Sequence, residues 1–126
     1  MIESAVRTLL TSDTTVSGLV GTRVYVGANL PQGATLPLVV IHMISHVADN
    51  HLRGACKLQW ERLQIEAWAS TMAGADTLLK AIDNALNGKK SGTIKSCNVL
   101  AGGSTSYQEP IDAHVLTLDF GIWFER

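Results

Sequence analysis

Leu58-Gln59-Trp60-Glu61-Arg62-Leu63-Gln64-Ile65-Glu66-Ala67-Trp68-Ala69, followed by Ser70-Thr71 and then by Met72 to Gly88, decides the fold. Successive side chains on a strand point to opposite faces, so period-two patterning marks a half-buried strand. Here Leu63, Ile65 and Ala67 share one face, and Arg62, Gln64 and Glu66 share the other with Trp60 and Trp68. The period then changes. Ala75, Leu78, Leu79, Ile82 and Leu86 form one stripe at helical spacing, as on a helix laid against a core. Ser70 or Thr71 can cap its start. Asp76 precedes Lys80 by four positions, the favourable order for a surface pair. Gly88 stands where a left-handed C-terminal residue is needed.

Working outward, His114 to Phe124 alternates even more regularly. Leu116, Leu118, Phe120, Ile122 and Phe124 fall on one face, with Thr117, Asp119, Gly121 and Trp123 on the other. At the start, Ile2, Val6, Leu9 and Leu10 predict a helix, with Glu3 in its first turn where a negative charge suits the helix dipole. Ser12-Asp13 reads as a stop, or as the cap of a second short helical turn over Thr14 to Leu19. Thr22 to Val26 reads as a short strand and residues 27–37 as a Pro- and Gly-punctuated loop. Leu38 to Val47 reads as a strand with apolar residues on both faces, hence covered on both sides in its first half. Residues 48–56 read as an exposed connection, Thr93 to Leu100 as a strand, and Ala101 to Ser106 as a flexible loop. The expectation is a single α+β domain over residues 1–126. Its sheet is mostly antiparallel, with four to five strands and two main helices on one face.

A chain of 126 residues can bury a core without staples. Hydrophobic residues make up 46% and charged residues only 17%, so much of the surface is neutral or apolar, as on a protein covered by a partner or on one rich in Ser, Thr and Gly. The formal net charge is −1 and the cations are scattered, with Lys89-Lys90 the densest spot. Direct nucleic-acid recognition needs clustered cations and is not expected. The first residues lack the basic and apolar regions of a secretion signal. The longest apolar run, Leu36 to Ile41, is too short to span a membrane. Cys56 and Cys97 show neither metal spacing nor a Cys-x-x-Cys pattern, and free thiols are the default reading.

Three constellations invite chemistry, and each has a plainer explanation. His42 and His46 on a strand stand about 13 Å apart. They cannot share one metal ion, whose ligand nitrogens must lie within about 2.1 Å of it. His51 lies still farther along. The hydroxyls of the Gly102–Ser106 stretch lack both the phosphate-loop and the nucleophile-elbow patterns. Glu61, Glu66, Asp112 and Asp119 offer carboxylates, but no two are brought together by spacing alone. No catalytic residue, cofactor or metal is expected. The tryptophans Trp60, Trp68 and Trp123 are more informative, because all fall on the polar-alternating faces. Either a partner covers them, as tryptophan anchors do at interface centres, or another part of the chain does.

Several stretches together resemble a known family. They are Ile2-Glu3-Ser4-Ala5-Val6-Arg7-Thr8-Leu9-Leu10, the Val-x-x-Leu-Val-Gly-Thr-Arg-Val-Tyr run from Val16 to Tyr25, and Leu30-Pro31-Gln32-Gly33-Ala34 with Leu36-Pro37-Leu38-Val39-Val40. Leu63-Gln64-Ile65-Glu66-Ala67-Trp68-Ala69 and the closing Leu118-Asp119-Phe120-Gly121-Ile122-Trp123-Phe124 complete the pattern. This order resembles the tail-completion (tail-terminator) proteins of long-tailed bacteriophages and prophages. The resemblance implies an α+β fold and a homo-oligomer, a hexameric ring between the tail tube and the head-tail connector. That ring would cap the major tail tube protein, end its polymerisation and dock the connector or stopper protein. It implies a place in the virion tail after assembly in the host cytoplasm, with no membrane partner. Contacts are expected from loops 27–37 and 47–57 with the sheet-face indoles, naming Trp60, Trp68, Trp123, Leu30, Gln32, His51 and Arg53. Alternative readings are another head-tail connector or minor tail protein, or a small ligand-binding or enzymatic α+β domain.

Overall fold

The computed structural model describes residues 2–27, 35–51, 54–90, 92–108 and 113–125. They form α1 (Ile2–Ser12), α2 (Thr14–Val20), β1 (Val24–Val26), β2 (Leu38–His51), β3 (Gly54–Ala69), α3 (Met72–Leu86), β4 (Ile94–Gln108) and β5 (Ala113–Glu125). The strands make one five-stranded sheet in the order β1-β2-β3-β5-β4. Only β1 runs parallel to its neighbour, β2, and every other pairing is antiparallel. Among the described residues, no helix is long and apolar enough to cross a membrane.

Local chemistry sets the helix ends. The Asp13 carboxylate accepts hydrogen bonds from the backbone N–H of Thr15 and Val16, both at 3.0 Å, so two of the orphan donors at the start of α2 are satisfied. Replacing Asp13 with Ala is expected to destabilise the protein by about 1 kcal/mol, read as a shift of the urea midpoint at unchanged slope. Thr71 does the same for α3, accepting from the Gly74 N–H at 3.0 Å. Gly88 follows α3 at φ +78°, a left-handed angle that glycine adopts without a Cβ clash. Asp76 and Lys80 pair at 3.0 Å on its exposed side.

Alternation fixes the layers. Leu63, Ile65 and Ala67 of β3, Val39 and Ile41 of β2, and Phe120, Ile122 and Phe124 of β5 are buried in one cluster with side chains from all three helices. Ile2, Val6 and Leu10 enter from α1, Val16 and Val20 from α2, and Leu78, Ile82 and Leu86 from α3. The helices therefore cover one face of the sheet: α1 and α3 are the two main helices expected, and α2 is the short helical turn that Asp13 caps. The first half of β2, Leu38 to Ile41, is buried on both of its faces, as its unbroken apolar run implied.

Two expectations are corrected. Residues 48–51 and 54–56 are not a connection but continue β2 and β3 as a hairpin, with Asn50 opposite Ala55 and His51 opposite Gly54. Likewise 101–106 is not a loop but the second half of β4, from Ala101 opposite Asp119 to Ser106 opposite Val115. Asp, Asn and Gly have low strand propensity, yet the ladder is made by backbone groups and a paired neighbour overrides the side chains. Register shifts between Ala48 and Asn50, between Val99 and Ala101, and between Gly102 and Ser104 take up the irregularity.

Candidate functional site

The face of the sheet turned away from the helices carries the even-numbered residues of β3 and the odd-numbered residues of β5. Trp60 stands directly opposite Trp123, Arg62 opposite Gly121, Gln64 opposite Asp119, Glu66 opposite Thr117 and Trp68 opposite Val115. All three tryptophans lie on this face, as the alternation required. The structure then separates them. Trp60 and Trp123 share one end, while Trp68 lies eight residues along β3, about 26 Å away.

The Trp60–Trp123 end is apolar and open. Trp123 is 39% exposed and Leu100, on β4, is 47% exposed. Gly121 explains how these side chains meet. A Cβ at position 121 would lie 3.0 Å from Trp60 Nε1 and 3.1 Å from both Leu100 methyl carbons. The missing side chain lets an indole and an isobutyl group close over the backbone of β5. Leu100 was not foreseen as part of this patch. Its approach to Gly121 depends on the register shift between Val99 and Ala101, which single-strand periodicity cannot supply. Met43 and Ile44, at another register shift in β2, are about half exposed as well.

Beside the patch, polar groups are paired off. The Arg62 guanidinium donates to Asp119 Oδ2 through Nε at 2.9 Å and Nη2 at 2.6 Å. The Trp68 indole N–H donates to Glu66 Oε1 at 3.1 Å, and His42 Nε2 lies 3.2 Å from the same oxygen. The Trp68 end is closed, since Leu38, Val40 and Val115 around it are all buried. Opposite charges meeting in this way leave the open face without a free ionic group among these residues, so the adjoining apolar surface can be covered at little electrostatic cost.

The remaining candidates resolve as follows. His42 and His46 point to opposite faces. His42 meets Glu66, whereas His46 hydrogen-bonds Gln59 and stacks on Phe124 with ring centres 6.2 Å apart. His51 ends β2, and its side chain lies outside the described set, as do residues Leu30, Gln32 and Arg53. Cys97 is a free thiol facing the helix layer, and burial pushes its pKa up to about 12, which makes it a core residue rather than a nucleophile. An apolar cavity of about 330 Å³ lies among Leu19, Pro37 and Leu78, rimmed by Ser70, Thr71 and Thr77, with no ionisable group in its lining. Its contents offer no acid–base pair for catalysis.

One pair escaped the sequence reading altogether. Glu61 lies on the core-facing side of β3, fully buried, and Glu3 on α1 faces it, only 8% exposed. Its position on the Leu63–Ile65–Ala67 phase was the available signal. Burial foremost, then the neighbouring Glu3 carboxyl, raises the Glu61 pKa to about 7.

Comparison with known proteins meets this geometry. Residues 4–125 match the family described as tail completion protein gp17. The fold is similar to that of a chain in a solved structure described as the virion of a native gene transfer agent particle. That chain is 21% identical, with a TM-score of 0.73, and the match covers 99% of this chain and 95% of that one. No curated protein matches the sequence. A family match over nearly the whole length, on a sheet that leaves an apolar face outward, places the chain among phage tail structural proteins: it belongs to the tail completion protein gp17 family.

Proposed function

We propose that this protein ends the tail tube. Copies form a closed hexameric ring on the last ring of the major tail tube protein, stop its polymerisation and present a docking surface to the head-tail connector or stopper protein. Residues 1–126 act as one such domain, assembled in the host cytoplasm and retained in the virion tail. Family membership over residues 4–125 supports the setting, and the open Trp60–Leu100–Trp123 end is the observation that carries the contact role. Aromatic anchors surrounded by neutralised polar groups are the composition of an interface centre. A ring requires two different, complementary patches on each copy, and a sheet with one face under helices and the other open has distinct surfaces to supply them. The 27–37 stretch before β2 and the 47–57 hairpin that joins β2 to β3 complete the proposed contact set with Leu30, Gln32, His51 and Arg53.

The experiment is deletion of the gene in a producing strain, followed by electron microscopy of lysates. The expected result is tubes of uncontrolled length and heads without joined tails, both corrected by the intact gene supplied in trans. Tails of normal length joined to heads would refute the proposal.

A further inference from the structure

Glu61 is fully buried and neither of its carboxyl oxygens has a hydrogen-bond partner. An ionised carboxylate is acceptor-only, and the carboxyl that faces Glu61 from α1 is that of Glu3. Two carboxylates without a proton between them cannot bond each other. A single proton changes that, because one carboxyl then donates to the other. We propose that Glu3 and Glu61 share one proton in the folded chain, which makes the seating of α1 on the sheet a pH-dependent latch.

The surroundings favour this reading. Ile2 and Val6 of α1 and Leu63, Ile122 and Phe124 of the sheet belong to the same buried cluster, so water is scarce where the pair meets. Among the described residues, no side-chain cation from a packed element offsets two charges, and Glu3 is the charged side chain that acts on Glu61. Arg7 of α1 is turned away, donating from Nε to the Val24 carbonyl at 2.9 Å. From β2, His46 stands opposite Glu61 in register but is engaged with Gln59. From β5 the opposing residue is the apolar Ile122. The α-amino charge of the chain acts in the other direction and is outweighed by burial and Glu3.

The sign follows from linkage. A carboxyl near 4.5 when unfolded and raised to about 7 when folded holds more protons in the native state between those values. Stability is therefore greatest at the acid end of that window and falls as pH rises through about 7, by up to roughly three-hundredfold in the folding constant. Docking of α1 weakens in the same direction.

The test measures urea unfolding of the full chain from pH 5 to 8.5, for the native protein and for Glu61→Gln, whose amide can donate to Glu3 as the protonated acid does. The native protein is expected to lose tens-fold or more of its folding constant across the range, and Glu61→Gln to lose far less. Amides of α1 are expected to lose exchange protection before those of α3. If Glu61→Gln does not fold, carbon-13 NMR titration of the native glutamate carboxyls decides, with Glu61 titrating near 7. Identical pH profiles for the two proteins, or a Glu61 carboxyl titrating near 4.5, would overturn the proposal. So would a stabilisation by millimolar calcium or magnesium at pH 8 equal to that of acidification, which would make the pair a cation site instead.

Discussion

Replacing Phe120 with Ala is expected to destabilise the protein by about 3–5 kcal/mol, the range for emptying a fully buried aromatic position. Phe120 is completely buried, lies opposite Leu63 on one side and Val99 on the other, and belongs to the cluster that joins the sheet to the helices. No single element can move in to fill the space, because β5 is held on both edges by backbone pairing. Domains of this kind are stable by only about 5–15 kcal/mol in total, so the variant is expected to sit near the limit of folding at 37 °C. Urea titration at 25 °C measures it. A loss below about 1 kcal/mol would mean that the sheet and helices do not meet at Phe120.

The second large effect concerns association rather than folding. Trp60→Ala combined with Trp123→Ala is expected to leave the chain folded, because both indoles lie on the face that the helices do not cover. Anchors of this type cost about 2 kcal/mol or more each when truncated in an interface, roughly thirtyfold in affinity per residue. Co-sedimentation with tubes assembled from the major tail protein reads that loss, and circular dichroism checks the fold. Trp68→Ala is the informative companion. Its indole is tied to Glu66 and surrounded by the buried Leu38, Val40 and Val115, so its truncation is expected to lower stability. A double variant that binds tubes as well as the native chain would remove Trp60 and Trp123 from the contact.

The layers were legible because periodicity is a single-strand property. Leu116 through Phe124 alternate without a break, and the Ala75–Leu86 stripe repeats at helical spacing, so the faces of β5 and α3 could be assigned without knowing any neighbour. What stayed hidden depends on pairing. Gly102 and Ser104 carry no strand signal, and their place in β4 comes from the ladder with β5. The meeting of Trp60 with Leu100 over Gly121 needs the register of three strands at once. Glu3 fits the first turn of a helix whether exposed or buried, so the dipole reading gave no hint of its approach to Glu61. Of the named contact residues, the indoles were placed on the correct face, but only the register shows that two are neighbours and the third is remote.

Electron cryomicroscopy of the tail end in assembled particles tests the central claim most directly. The account predicts Trp60 and Trp123 covered by a neighbouring chain, with the helix layer of α1 and α3 on the opposite side of the sheet. Both indoles facing solvent in the finished particle, with every intermolecular contact made elsewhere, would contradict it.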